Sequence, residues 1–294
     1  MDAFLAGLSQ SIDAVELGRR IRAARIAAGM TQSQVAGGEV SAAYVSRIED
    51  GQRRPETQLL ARMAARMSTT PHQLLTGITT HEARQLELEV EHAAVALTLG
   101  DNTEALTAAA DVVARLKNYG DPALLAEAQR VKAQAHYALS DLDSAISILE
   151  ELTQQLTPDM NTLRALISLC RCYCDRDELA RATALGDLAE RMATRMGIDG
   201  LTETLQLAVV RAEIHLRRGD HQAAAATCRS ALEIADADAS ELAQASAYWH
   251  ASVSEALSNG ATPAALELAK IALALIDISE GHTCMRHLTR ISSA

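Results

Sequence analysis

Three sets of residues in this 294-residue chain have the types and spacing that chemistry needs. Cys170, Cys172 and Cys174 stand at alternate positions, where thiols could hold a metal or form a disulfide. On a helix Cys172 points about 200° from its neighbours, which leaves Cys170 and Cys174 alone on one face. The expectation is small buried hydrophobes, with a redox switch through Cys170 and Cys174 as the alternative. Cys228 and Cys284 bring the count to five, an odd number that argues against a disulfide framework. His81-Glu82 opens like a zinc-protease motif, but position 85 is Gln where the second His would stand. Neither a phosphate-cradling loop nor a dinucleotide glycine fingerprint is present. The expectation is therefore no catalytic residue, no metal and no cofactor. What remains is a set of guanidinium groups, Arg47, Arg53 and Arg54, of the kind that pair bidentately with guanine or hold phosphate.

The elements that must position those arginines can be read from local signals. Thr31 is a helix N-cap ahead of the inward pair Val35 and Ala36, and Gly37-Gly38 breaks that helix. Ser41 caps the next, in which Val45 and Ile48 fall three apart on one face while Ala42, Ser46 and Arg47 turn elsewhere. Asp50-Gly51 ends it, and Pro55 forbids continuation. Supporting helices are expected over Glu16–Ala28, with Leu17, Ile21 and Ala24 on one stripe, and over Glu56–Met67, with Leu59, Leu60, Met63 and Met67. Pro71–Leu75 completes a bundle of five short helices.

The run Thr31-Gln32-Ser33-Gln34-Val35-Ala36, followed by Ser41 and then Tyr44-Val45-Ser46-Arg47-Ile48-Glu49-Asp50-Gly51-Gln52-Arg53-Arg54-Pro55, resembles the lambda-repressor-like, or xenobiotic-response-element, helix-turn-helix family. That family's pattern runs TQxxLA, a turn, then SxxYISRIENGxRxP, and the resemblance covers about Glu16 to Ile78. The turn here is one residue shorter than usual and carries Gly-Gly. The resemblance implies that the chain binds double-stranded operator DNA, with Ser41, Ala42, Ala43, Ser46 and Arg47 at base edges. It places Gln32, Tyr44, Arg53 and Arg54 on phosphates. Of the first set only Arg47 can form a bidentate pair with guanine, whereas Ala42 and Ala43 offer at most apolar contact to a thymine methyl. Phosphate contacts set register and carry the salt dependence.

Charge divides the chain in the same sense. The formal net charge is -11, yet residues 1–80 carry nine Arg, no Lys and seven Asp plus Glu, a balance of +2. The remainder stands at -13. Arg19, Arg20, Arg22 and Arg25 crowd the first helix and add to a modest positive footprint. No apolar run reaches the ~20 residues that span a bilayer, and Asp2 and Asp13 stand where a leader would be basic, so the expected address is cytoplasmic.

Beyond residue 80 the chain repeats. Turn signals recur at Gly100-Asp101, Ser140-Asp141, Arg176-Asp177, Gly219-Asp220 and Asn259-Gly260, at intervals of 40, 36, 43 and 40 residues. Each interval holds two helical stretches, such as Ala123–Leu139 or Leu201–Arg218, with small residues after the turns at Ala105, Ala145, Ala224 and Ala264. The third unit has Arg181 near that place. The segments Ala135–Ala145 and Ile214–Ala224 resemble tetratricopeptide repeats, over about residues 84–280 as five units, although aromatic residues are only 2% of the chain. The expected fold is all-α, a five-helix helix-turn-helix bundle followed by a tetratricopeptide-like α-solenoid of about five hairpins. The division is an arm at 1–15, the bundle at 16–78, a linker at 79–83, the array at 84–280 and a cap or tail at 281–294.

A DNA-binding bundle joined to such an array resembles the Rgg, PlcR and NprR group of peptide-pheromone receptors and related actinobacterial regulators. The resemblance implies a transcriptional regulator whose groove holds a peptide or protein ligand, with Asn side chains gripping peptide backbone. Asn118 and Asn161 are the candidates here. A homodimer is expected, because two reading heads about 34 Å apart gain on a two-fold operator. The last unit, Ala261–Ile278, offers Leu266, Leu268, Ile271, Leu273 and Leu275 as a contact surface. The alternative is an adaptor whose bundle and groove both bind proteins without DNA.

Overall fold

The computed structural model describes residue 9 and residues 12–116, 121–154, 158–236 and 239–278. Among the described residues there are fifteen α-helices and no strand. By contact they divide into two compact units, one drawn from Met1–Glu91 and Ala110–Leu125, the other from His92–Ala109 and Ala126–Ala294. No helix of the described residues is long and apolar enough to cross a membrane.

The first five helices are α1 (Ala14–Ala27), α2 (Gln32–Ala36), α3 (Ala42–Glu49), α4 (Thr57–Arg66) and α5 (Pro71–Thr76). They close on one core of Leu17, Ile21, Val35, Val45, Ile48, Leu60, Met63 and Leu75. α1 begins two residues before the expected start, because the Asp13 carboxylate accepts from the Glu16 N–H and caps it there. The expected linker 79–83 is a cap and a helix turn. Thr79 and Glu82 form reciprocal hydrogen bonds, Thr79 N–H to Glu82 Oε2 at 2.8 Å and Glu82 N–H to Thr79 Oγ1 at 3.1 Å. That gives Glu82, half of the zinc-like pair, a structural task at the start of α6 (Thr80–Leu99).

The remaining helices are α7 (Asn102–Leu116), α8 (Pro122–Ala138), α9 (Leu142–Leu152), α10 (Met160–Asp175), α11 (Leu179–Met196), α12 (Thr202–Arg217), α13 (His221–Glu233), α14 (Glu241–Asn259) and α15 (Pro263–Ile278). Each turn signal read from the sequence lies between the two helices of one hairpin. Within the second unit first helices pack on first helices, α10 on α12 and α12 on α14, and so form one layer. The first helices run from 16 to 20 residues, and the second helix Leu179–Met196 reaches 18.

The hairpins close on one small side chain at the fourth position of the second helix. Ala105, Ala145, Ala182 and Ala224 all stand there with no exposed surface. The third unit, which Arg181 seemed to spoil, obeys the rule one residue later at Ala182, because Glu178 is its N-cap. The last unit corrects the expectation for Ala264. That residue is exposed, and Ala265, 4% exposed, takes the inner place. The Thr262 hydroxyl accepts from the Ala265 N–H, so the cap lies two residues past Gly260, the helix starts at Pro263 and its register shifts.

Candidate nucleic-acid interface

The turn between α2 and α3 is built from both sides. Thr31 Oγ1 accepts from the Gln34 N–H at 3.3 Å, while Gln34 Oε1 accepts from the Thr31 N–H at 2.7 Å, a reciprocal cap. Gly37 follows in the left-handed conformation at φ 59°, and Ser41 Oγ accepts from the Tyr44 N–H at 3.1 Å to start α3. From α4 the Arg66 guanidinium donates to the Val35 and Ala36 carbonyls at 3.0 and 3.4 Å and pairs with Glu39, which Arg62 also holds. A Cβ at Gly37 would lie 2.2 Å from the Arg66 guanidinium carbon. The shortened turn is therefore clamped by α4, and Gly37 leaves room for the clamp, whereas Gly38 faces open space in the left-handed conformation at φ 81°.

α3 is seated by its rear face. Val45 and Ile48 have no exposed surface, and Glu49 is 7% exposed. The Glu49 carboxylate accepts from Arg25 of α1 at 2.6 and 3.0 Å and from Gln32 of α2 at 3.0 Å, which ties three helices at one buried point. Burial alone would raise its pKa. The hydrogen bonds from Arg25 and Gln32, with the Arg25 and Arg22 charges, outweigh burial and hold the carboxyl below its usual range. α1 meets α3 closely because position 18 is glycine. A Cβ there would lie 2.4 Å from the Ile48 carbonyl oxygen and 2.6 Å from that of Glu49.

The front of α3 carries the five residues expected at base edges. Ser41, Ala43 and Arg47 are exposed, and Ala42 and Ser46 are half-buried. Arg47 and Arg53 are both exposed, and neither guanidinium has a hydrogen bond or ion pair among the described residues. The other expected phosphate ligands are engaged internally. Gln32 gives its amide to Glu49, and Tyr44 is half-buried against the core. Arg54 donates to the carbonyls of Ser9 and Ile12, the latter at 2.8 Å, so its guanidinium is taken up within the chain. The positive footprint is smaller than the arginine count suggests. Arg19 and Arg20 pair with Glu16, Arg20 also donates to the Leu75 carbonyl, and Arg25 is spent on Glu49. Gly18, Glu49 and Arg66 were not singled out from the sequence, because each acts on a partner far along the chain.

In the array, Asn161 is half-buried in the first turn of α10, and Asn118 lies outside the described residues. Cys170, Cys172 and Cys174 are all buried, since α10 is packed by α9, α11 and α12. Burial pushes each of the three thiols up to about 12, so they stay protonated near neutral pH and lack the thiolate a redox switch needs. Leu266, Ile271 and Leu273 of the last hairpin are exposed, whereas Leu268 and Leu275 are partly covered. Residues 281–294 lie outside the described residues.

A family model described as a helix-turn-helix domain matches residues 16–76. No curated protein matches the sequence. Among solved structures, PlcR of Bacillus thuringiensis in complex with the peptide PapR7 and DNA is similar at 17% identity, 94% of this chain and 99% of that one, with a TM-score of 0.59. A putative kinesin light chain of Podosopora anserina with tetratricopeptide-like repeats is similar at 18% identity, 67% of this chain and 96% of that one, with a TM-score of 0.50. Residues 16–76 are thus a helix-turn-helix domain, carried on an all-α chain that continues as a tetratricopeptide-like array.

Proposed function

We propose that this chain is a sequence-specific DNA-binding transcriptional regulator whose array holds a peptide or other ligand and pairs two copies. One observation carries the reading. α3 is fixed from behind by Val45, Ile48 and the Arg25–Glu49–Gln32 cluster, while its open side carries only short side chains and the unpaired Arg47. Short residues let a helix enter the major groove, and a free guanidinium can then reach guanine O6 and N7. Arg53, unpaired just past the helix, supplies a phosphate contact. PlcR, whose fold the chain shares, is described with both a peptide and DNA bound, which supports the pairing of functions. A regulator of this kind works in the cytoplasm, and Leu266, Ile271 and Leu273 offer an apolar surface for the second copy.

The test is binding of the full chain to its own upstream DNA and to random DNA across a salt series. Arg47→Ala is expected to lose about 1–3 kcal/mol of preference for the specific fragment. Arg53→Ala is expected to weaken both DNAs alike and to flatten the salt slope by about 1. If neither variant changes binding to either DNA, α3 does not read bases and the adaptor reading takes its place.

A further inference from the structure

The helix-turn-helix domain holds nine arginines, and most of them have their guanidinium taken up within the chain. Arg19 and Arg20 pair with Glu16, Arg25 with Glu49, and Arg62 and Arg66 with Glu39, while Arg54 donates to backbone carbonyls. Three guanidiniums are left without a hydrogen bond or ion pair among the described residues, those of Arg47, Arg53 and Arg22. The first two stand at the reading face. Arg22, exposed on α1, has no task yet.

α1 meets the C-terminal end of α3 with one face. A Cβ at Gly51, just past α3, would lie 2.7 Å from the Val15 Cα, and one at Gly18 would lie 2.4 Å from the Ile48 carbonyl oxygen. One turn or so further on, Arg25 bonds the Glu49 carboxylate. Positions 15, 18, 22 and 25 fall within about 80° of one another on a helix, so Arg22 shares the face that meets α3. Its charge acts on Glu49, two residues after Arg47. Glu49 does not take it up, because Arg25 and Gln32 already close on that buried carboxylate. The same end of α3 carries the other two open arginines. Arg47 lies in its last turn, and the Arg53 N–H donates to the Arg47 carbonyl at 3.1 Å.

The domain needs such a group. Of the side chains expected on phosphates, Gln32 and Arg54 are bonded internally and Tyr44 is half-buried, which leaves Arg53 as a single anchor. One phosphate contact adds affinity but does not fix an orientation, whereas two from different elements do. Packed helices lie ~8–10 Å apart, so with α3 in the major groove a side chain of α1 stands back from the base edges, at the level of the backbone. We propose that Arg22 is a DNA phosphate ligand, which together with Arg53 sets the seating of α3 without reading sequence. The inference rests on the reading of α3 as the helix that enters the groove.

The experiment measures binding of the full chain to its own upstream DNA and to random DNA across a salt series. Arg22→Ala is expected to weaken both DNAs about tenfold, since a bond to a charged group is worth that much, and to lower the salt slope by about 0.9 with the preference between the two DNAs unchanged. Arg22→Lys should keep the slope and lose part of the affinity, because an ammonium keeps the charge but not the fork. Arg19→Ala, on the same helix but paired with Glu16, should leave the slope as it is. A second measurement replaces single phosphates of the specific fragment by neutral methylphosphonates. One position is expected to cost the unaltered chain about tenfold and the Arg22→Ala chain nothing. An unchanged slope in Arg22→Ala, an equal fall in Arg19→Ala, or no phosphate that separates the two chains would overturn the inference. Salt-dependent DNA binding by the unaltered chain with no effect of Arg22→Ala sinks this inference alone. Absence of DNA binding by the unaltered chain sinks the earlier reading and this one with it.

Discussion

α3 and α10 each present one line of side chains to solvent, but the two lines are built in opposite ways. α3 is held only from behind, by two aliphatic residues and one buried carboxylate, and its open side is Ser, Ala, Ala, Ser and Arg. α10 is held from three directions by α9, α11 and α12, and its open line is charged and cross-linked to neighbouring helices. The difference follows from what each surface has to meet. A helix that enters a groove must offer short side chains and a firm rear, whereas a helix inside an array can offer ordered charges because its neighbours fix them.

The comparison is broken most severely at the rear of α3. Glu49→Ala leaves Arg25, whose side chain is 15% exposed, without its counter-ion, at an expected cost of about 3–5 kcal/mol in urea unfolding. A cost below ~1 kcal/mol would show that this carboxylate does not hold the three helices. Gly18→Ala forces a Cβ against the Ile48 and Glu49 carbonyls, and the expected loss is about 1–3 kcal/mol together with weaker specific DNA binding. Unchanged DNA affinity in that variant would mean that α3 tolerates displacement.

The array side is tested by Ala182→Leu, which overfills a site with no exposed surface and is expected to cost about 1–3 kcal/mol. Thermal unfolding measures it, and a neutral result would mean that the fourth-position rule is not a packing requirement. The smallest effect is expected from Glu16. A hydrogen bond from Arg19, with burial opposing and Arg20 adding, holds its carboxyl at about 2 against an ordinary 4.5. A pKa depressed in the folded state gives stability that is present above 4.5 and is lost as pH falls from there toward 2. The side chain is one-third exposed, so solvent screening keeps the contribution below ~1 kcal/mol. Urea midpoints between pH 5 and 2.5 for Glu16→Gln against the unaltered chain measure it, and parallel curves would leave this pairing without a role.

Much of the fold is legible in single residues. Thr31 and Ser41 are recognisable as caps because their hydrogen bonds reach only three positions ahead. The hairpin turns are legible for the same reason, and the error at Ala264 arose where Gly260 stands apart from the cap at Thr262. The candidate site was less legible. Arg53 and Arg54 are adjacent and identical in type, yet one is open and the other donates to the Ser9 and Ile12 carbonyls.

Local order was set by the amino-acid order alone: where helices start and stop, which faces are apolar, and that five hairpins follow five short helices. These features depend on bonds and periodicities that span three to five residues. Which polar groups remain open was decided only when the chain folded. Arg25 finds Glu49 across 24 residues, Arg66 finds Val35 across 31, and Arg20 finds Leu75 across 55. A guanidinium's partner is a matter of three-dimensional proximity, so only the tertiary structure separates the arginines that build the reading head from those left to use it.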